Sequence, residues 1–308
     1  MFPEVNKMTS SLQFRLTVVA IIVAVFLALV ALIWSPPAAA DGEFSRLTAE
    51  QTAKAKRALQ FLDEMEALYF GTVAKLNGND EIESVDINDE FAVRNVKVMR
   101  GPVVEKAGRM RTHTLKPKAD FQEVRLWTRF FSADVHPKTP KVGMLHAAIT
   151  MHFDSDGGSA VAGWVDILPA ATSPEDLDHL KAVADEIFAK YGKDAARHRR
   201  MSIEGTEGEG TRRREPAGVG GSFYGRDLMP WTEENFAFMT EMYREFFRAY
   251  LNLIDQRQND PVTAEDLAKQ DYQRRNWWED RWYSDPYTRN VVPMDVWALS
   301  TLPPEVKF

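Results

Sequence analysis

The sequence predicts an α+β protein in which a mainly antiparallel β-sheet and several long helices follow one N-terminal hydrophobic helix. Three observations carry this. Residues 16–34, "LTVVAIIVAVFLALVALIW", hold no charge and one polar residue, Thr17. Between about Phe91 and Leu168 the chain breaks into short β-rich runs punctuated by Lys, Pro and Gly clusters, the pattern of successive strands in one sheet. Before and after that region, apolar residues recur at helical spacing.

The apolar segment comes first. At ~1.5 Å per residue it covers most of a hydrocarbon core of roughly 30 Å. Lys7 and Arg15 precede it, which places the N-terminus in the cytoplasm and everything after Trp34 outside, on the periplasmic or non-cytoplasmic side. "SPPAAADGEF" offers a small-residue cleavage site near Ala40. The run is longer than a usual signal core, so residues 1–40 read as an uncleaved membrane anchor, with a cleaved signal sequence as the alternative. Residues 41–308 read as a single domain.

Thr48 and Gln51 have capping-box spacing, and Leu59, Leu62, Tyr69, Val73 and Leu76 follow on one helical face until "NGNDE" ends the helix. The runs "FAVRNVKVM", "FQEVRLWTRFF", "GMLHAAITMHF" and "AVAGWVDIL" read as strands. Ser173 and Asp176 cap a second helix, and "RHRRMSIEGTEGEGTRRREPAGVGG" (197–221) reads as a long charged, Gly-rich connection. A third helix begins near Thr232. A fourth runs from Thr263 to near Arg275, before an aromatic tail broken by prolines.

Composition narrows the function. The 44% hydrophobic and 27% charged fractions belong to a folded chain. With no cysteine there is no disulfide, no thiolate metal site and no cysteine nucleophile. The formal charge of −7 argues against a nucleic-acid partner.

Three of the six histidines, His136, His146 and His152, fall in one stretch. Residues an even number apart in a strand share a face, so His146 and His152 point the same way. A zinc site wants three or four ligands. Asp134 and Asp154 flank the run without an HExxH-like arrangement, so no metal is expected. What remains open is an acid–base histidine facing a pocket or a structural strand histidine. Arg212, Arg213 and Arg214 follow the acidic "EGTEGEG". They read either as a guanidinium clamp for a substrate with several carboxylates or as a solvated loop. Trp277, Trp278, Trp282 and Tyr283 read as core or interface.

Taken in order, these segments resemble the oxygen-dependent coproporphyrinogen III oxidase family. "VMRGPVVEKAGRMRTH" (98–113) resembles that family's EKAG segment. "FFSADVHPKTPKVGMLH" (130–146) resembles its Ser-x-x-x-His-Pro-x-x-Pro-x-Val-x-x-x-His segment. "DILP" (166–169) stands where the family has Asp-Leu-Thr-Pro, and "REPAGVGGSFYGRD" resembles its glycine-rich stretch. "FAFMTEMYREFFRAYLNLIDQR" (236–257) is similar to a family helix.

The resemblance runs from about residue 50 to the end. It implies a large antiparallel sheet with helices on both faces and a homodimer. It also implies molecular oxygen as co-substrate with no cofactor, and oxidative decarboxylation of two propionates of a porphyrinogen to vinyl groups. By position it makes Ser132 and His136 substrate contacts, His146 the proton donor and Asp166 the carboxylate for pyrrole N–H groups.

The chain also departs from the pattern. Ala148 and Thr150 stand where the family has Asn and Arg, and "VVPMD" replaces a Gly-Gly-Arg loop. Two further family histidines fall at about Lys181 and Arg212. Arg212 or Arg213 is the expected compensation for the lost arginine. The chain therefore reads as a divergent member acting on a porphyrinogen or related polycarboxylate. The alternative is a non-catalytic tetrapyrrole-binding protein that keeps the fold.

Overall fold

The computed structural model describes residues 42–120, 122–205, 213–224, 229–285 and 290–308. The expected N-terminal hydrophobic helix and Arg212 lie outside the described residues. Among the described residues, no helix is long and apolar enough to cross a membrane.

Among the described residues, seven strands pair in chain order, each antiparallel to the one before. They are β1 (Ile82–Asp86), β2 (Ala92–Met99), β3 (Val104–Thr114), β4 (Arg125–Pro137), β5 (Met144–Asp154), β6 (Ser159–Leu168) and the two-residue β7 (Gly221–Ser222). The antiparallel sheet and the α+β class are as the sequence predicts. β3 was legible only as a motif, because Lys106, Arg109 and Arg111 hide its alternation.

Helix α1 (Ala49–Asn77) starts at the Thr48–Gln51 capping box and ends on Gly78, whose φ of 67° suits glycine. It packs on β2 and β3, and α4 (Glu233–Arg257) packs beside it on β6. Phe61 meets Phe236 and Tyr69 meets Phe247 edge-to-face, and Arg57 forks onto Glu233 with two contacts of 2.7 Å.

On the opposite face, Trp277 of α5 (Ala264–Glu279) packs on Met144, Trp164 and Leu168. Val296 and Trp297 of α6 (Met294–Ser300) pack on Val96, Val98 and Met110. A methyl at Gly108 would overlap the Ser300 carbonyl, so only glycine lets α6 approach β3 this closely. Helix α2 (Pro174–Lys190) is capped by Ser173 and packs on α4. The expected loop 197–221 instead begins as α3 (Ala195–Glu204), because the Asp194 side chain accepts from the Arg197 N–H and caps it.

Strand register is held from the α1/α4 side by tyrosine hydroxyls. Tyr250 Oη donates to Gly143 O at 2.7 Å and accepts from Leu145 N–H at 3.1 Å. Tyr243 Oη reaches the carbonyls of Ala148 and Trp164, and Tyr69 Oη donates to Asp134 O at 2.8 Å. All three rings are fully buried. Tyr250→Phe leaves a buried N–H and a buried C=O without their partner. It is expected to cost about 1–3 kcal/mol, read as a lower urea midpoint with an unchanged slope. An unchanged midpoint would show that the hydroxyl does not hold the start of β5.

Candidate active site

The sheet face under α5 and α6 carries a cavity of about 490 Å³. Ala148 and Thr150 of β5 and Ala160 and Ala162 of β6 make its floor, with Phe130, Trp164 and Trp297 as walls. Small residues at alternate positions of two neighbouring strands leave the space that larger ones would fill. A shallower cavity of about 420 Å³ beside Tyr272 and Glu215 contains no histidine in its wall. Among the described residues, no three His, Asp or Glu side chains converge as a metal site.

His146 is on the wall of the larger cavity and almost fully buried. β4 and β5 pair so that His146 stands directly opposite Asp134, and Nδ1 lies 2.8 Å from Asp134 Oδ1. Ser132 Oγ donates to the other Asp134 oxygen at 3.2 Å. The imidazole sits between Trp164 and Trp277, with centroids 5.1 and 4.7 Å away. Burial pushes the Asp134 carboxyl well above the usual carboxylate range, against the pull of Arg281, the Ser132 bond and Lys106. Either Nδ1–H donates to an ionised Asp134 or Asp134 O–H donates to Nδ1. In both forms the pair holds one proton between them, and proton exchange with a guest falls to Nε2.

Six side chains of the wall are Arg or Lys (Arg94, Lys116, Lys118, Arg125, Arg214 and Arg281), against two carboxylates, Glu123 and Asp285. That balance favours an anionic guest. Arg281 lies in a π turn, Asp280–Ser284, that continues α5 past its expected end near Arg275. Its guanidinium stacks 4.2 Å from the Trp277 centroid and pairs with Asp280 and Asp285, each at 2.9 Å. Arg214, also on the wall, lies 4.8 Å from the centroid of Trp164 of β6.

The other expected site residues that are described, Ser132, His136, Asp166 and Arg213, are not on the cavity wall. Ser132 is beneath it, bonded to Asp134. His136 is on the same sheet face, but the C-terminal segment covers it. Its Nε2 meets Thr301 O at 2.8 Å, and burial with nearby Lys106 holds the ring's pKa well below the usual histidine range. Asp166 is fully buried and accepts from Ser202 Oγ at 2.8 Å, Ile167 N–H at 2.9 Å and Val219 N–H at 3.1 Å. Its carboxylate secures α3 and the 218–220 loop. Arg213 is half-exposed and pairs with Glu279 at 2.9 Å, while its neighbour Arg214 turns inward. His152, to which the family resemblance assigns no role, is on the cavity wall, as its even spacing from His146 allows. The Ser132-x-Asp134-x-His136 alternation was the available signal for Asp134. Its opposition to His146 was not legible.

The comparison with known families then decides the relationship. The family model described as coproporphyrinogen III oxidase matches residues 45–289 of the 308. The chain belongs to the coproporphyrinogen III oxidase family. Membership makes it a coproporphyrinogen oxidase-like oxidoreductase of porphyrin and heme biosynthesis, with a porphyrinogen as the implied substrate.

Lys106, in the EKAG segment, faces His136 across β3 and β4. Its Nζ donates to Ala298 O at 2.8 Å and Leu302 O at 2.6 Å, tying down the segment that carries Trp297. Burial lowers its pKa to about 7. A neutral amine keeps two N–H groups, enough for both carbonyls. Because the folded pKa lies below the unfolded value, the unfolded chain binds more protons between pH 7 and 10, and this group's contribution to stability rises with pH there. Urea melts of the native protein and Lys106→Met are expected to diverge in favour of the native protein from pH 7 to 10, by a few kcal/mol on the order of magnitude. A pH-independent gap would show that Lys106 keeps its proton.

Proposed function

We propose that this chain decarboxylates propionate side chains of a coproporphyrinogen-type macrocycle with molecular oxygen, as a divergent family member acting on coproporphyrinogen III or a related polycarboxylate. The observation that carries the proposal is the His146–Asp134 pair on the wall of a cavity whose charged side chains are mostly cationic. Each turnover takes a –CH2–CH2–COO⁻ side chain, one O2 and one proton. It yields –CH=CH2, CO2 and H2O2, with two electrons passing from the side chain to oxygen.

Nε2 of His146 supplies the proton, and Asp134 returns one through Nδ1. Trp164 and Trp277 exclude water from the ring and fix its plane. Arg214 and Arg281 hold the reacting carboxylate beside it. No metal or organic cofactor enters this scheme. The floor at Ala148 and Thr150 carries no charged contact, which favours a changed grip on the substrate relative to the family pattern.

The resemblance further supports a homodimer. The uncharged run 16–34 supports a membrane-held domain on the non-cytoplasmic side. Release into the soluble fraction with a new N-terminus after Ala40 would instead identify a cleaved signal.

The test loads the protein anaerobically with coproporphyrinogen III, admits air and follows vinyl products and oxygen uptake. His146→Gln is expected to lower kcat by about 100-fold or more, and Asp134→Asn by less, with the tetrapyrrole still bound in both. Unchanged turnover in His146→Gln would remove it as the proton donor. Binding without turnover in the native protein would identify a tetrapyrrole-binding protein instead.

A further inference from the structure

The proposed chemistry occupies one end of the cavity, around His146, Arg214 and Arg281. The same face of β5 continues through Ala148 and Thr150 to His152, also on the wall. Six residues at about 3.4 Å each put the strand positions of the two histidines roughly 20 Å apart, and side chains reach inward from both ends. This second end has no part in the chemistry described above.

It is nonetheless built as an anion site. Arg94 of β2 is 1% exposed, and its Nη1 lies 3.0 Å from Asp89 Oδ2. Its Nε has no hydrogen-bond partner among the described residues. A buried donor left unsatisfied is costly, which marks Arg94, on the cavity wall, as a cation whose hydrogen-bonding capacity the fold does not use up. Arg125 sits at an odd position relative to Thr128 and Phe130, yet all three are on the wall. The register shift between Arg125 and Trp127 re-aims it. Lys116 closes the rim, 4.9 Å from the Phe91 centroid and half-exposed. Asp89, Glu90 and Asp154 pair with these cations and are not part of the wall, whereas Glu123 is.

We propose that Arg94, Arg125 and Lys116 form a second carboxylate subsite, which takes a substrate carboxylate remote from the reacting propionate. The proposal rests on the porphyrinogen reading and deepens it. The substrate is gripped at both ends by cations from β2, β4, the loops and the π turn, and its apolar body lies over Ala148, Thr150, Ala160 and Ala162. The grip that the family places on β5 is thereby moved off β5. The subsite makes the protein selective for macrocycles with carboxylates on opposite sides.

Two probes on the full chain test this. One is tryptophan quenching by coproporphyrin III, with four propionates, against a porphyrin with two adjacent propionates. The other is the shift in Tm produced by benzene-1,3,5-tricarboxylate. Arg94→Gln and Lys116→Gln are each expected to weaken the four-propionate porphyrin about tenfold and leave the two-propionate porphyrin within about twofold, with Arg94→Lys recovering part of the loss. Lys116 is half-exposed, so its variant tests the subsite even where Arg94→Gln does not fold.

Equal losses for both porphyrins, or none, would overturn the subsite while the porphyrinogen reading stands. A native protein that binds neither porphyrin, yet is stabilised by the tricarboxylate in a way both variants abolish, would keep the subsite and overturn that reading. Binding of none of the three probes would overturn both.

Discussion

The site depends on one constraint, the register of β5 against β4. Asp134 faces His146 only because Asp134 and His146 are paired residues. A slip by a single residue would turn His146 to the face covered by α1 and α4 and bring Leu145 or Ala147 to the cavity. The Asp134–His146 contact opposes that slip only by the one hydrogen bond it would lose. Both strands are also held from the other side of the sheet, where Tyr69 holds the Asp134 carbonyl of β4, Tyr250 holds Gly143 and Leu145 and reaches the Val135 carbonyl of β4 at 3.5 Å, and Tyr243 holds Ala148 and Trp164. The helix pair α1 and α4 therefore belongs to the site's support although it touches no part of the cavity.

The C-terminal segment is the second support. Thr301 O accepts from both His136 and Trp277, and Lys106 holds the carbonyls of Ala298 and Leu302. These bonds fix Trp277 against His146 and Trp297 against the cavity. This gives His136 and Lys106 a common physical role. Both are buried polar groups whose partners lie in the C-terminal segment, at Ala298, Thr301 and Leu302, so their hydrogen bonds close that segment over the sheet.

The electrostatics follow the same division. Asp166 and Asp134 are two fully buried carboxylates with different surroundings. Asp166 is surrounded by the Ser202 hydroxyl and backbone N–H groups that consume its acceptor capacity. Asp134 has a histidine on one oxygen and a serine on the other, so its bond network includes a group that can exchange a proton. Burial alone does not separate a structural carboxylate from one in a proton relay; the titratable neighbour does.

The sequence by itself determined the class and most of the frame. Cap residues at Thr48, Ser173, Thr232 and Thr263 and alternation within the β runs are local signals, and local physics reads them. It also determined the family, because short motifs in a fixed order survive divergence. Strand parity put Ser132, Asp134 and His136 on one face and joined His146 to His152. Parity does not say which residue of the next strand lies opposite, or which of two same-face histidines the C-terminal segment will cover. Those are consequences of register and of contacts more than a hundred residues apart in the chain. The tertiary structure decided that Arg214 and not Arg213 turns inward, that Arg281 reaches the cavity from an aromatic tail, and that Asp166 is spent on a loop. A side chain's chemistry is written in its residue type, but its access to a guest is set by what packs over it.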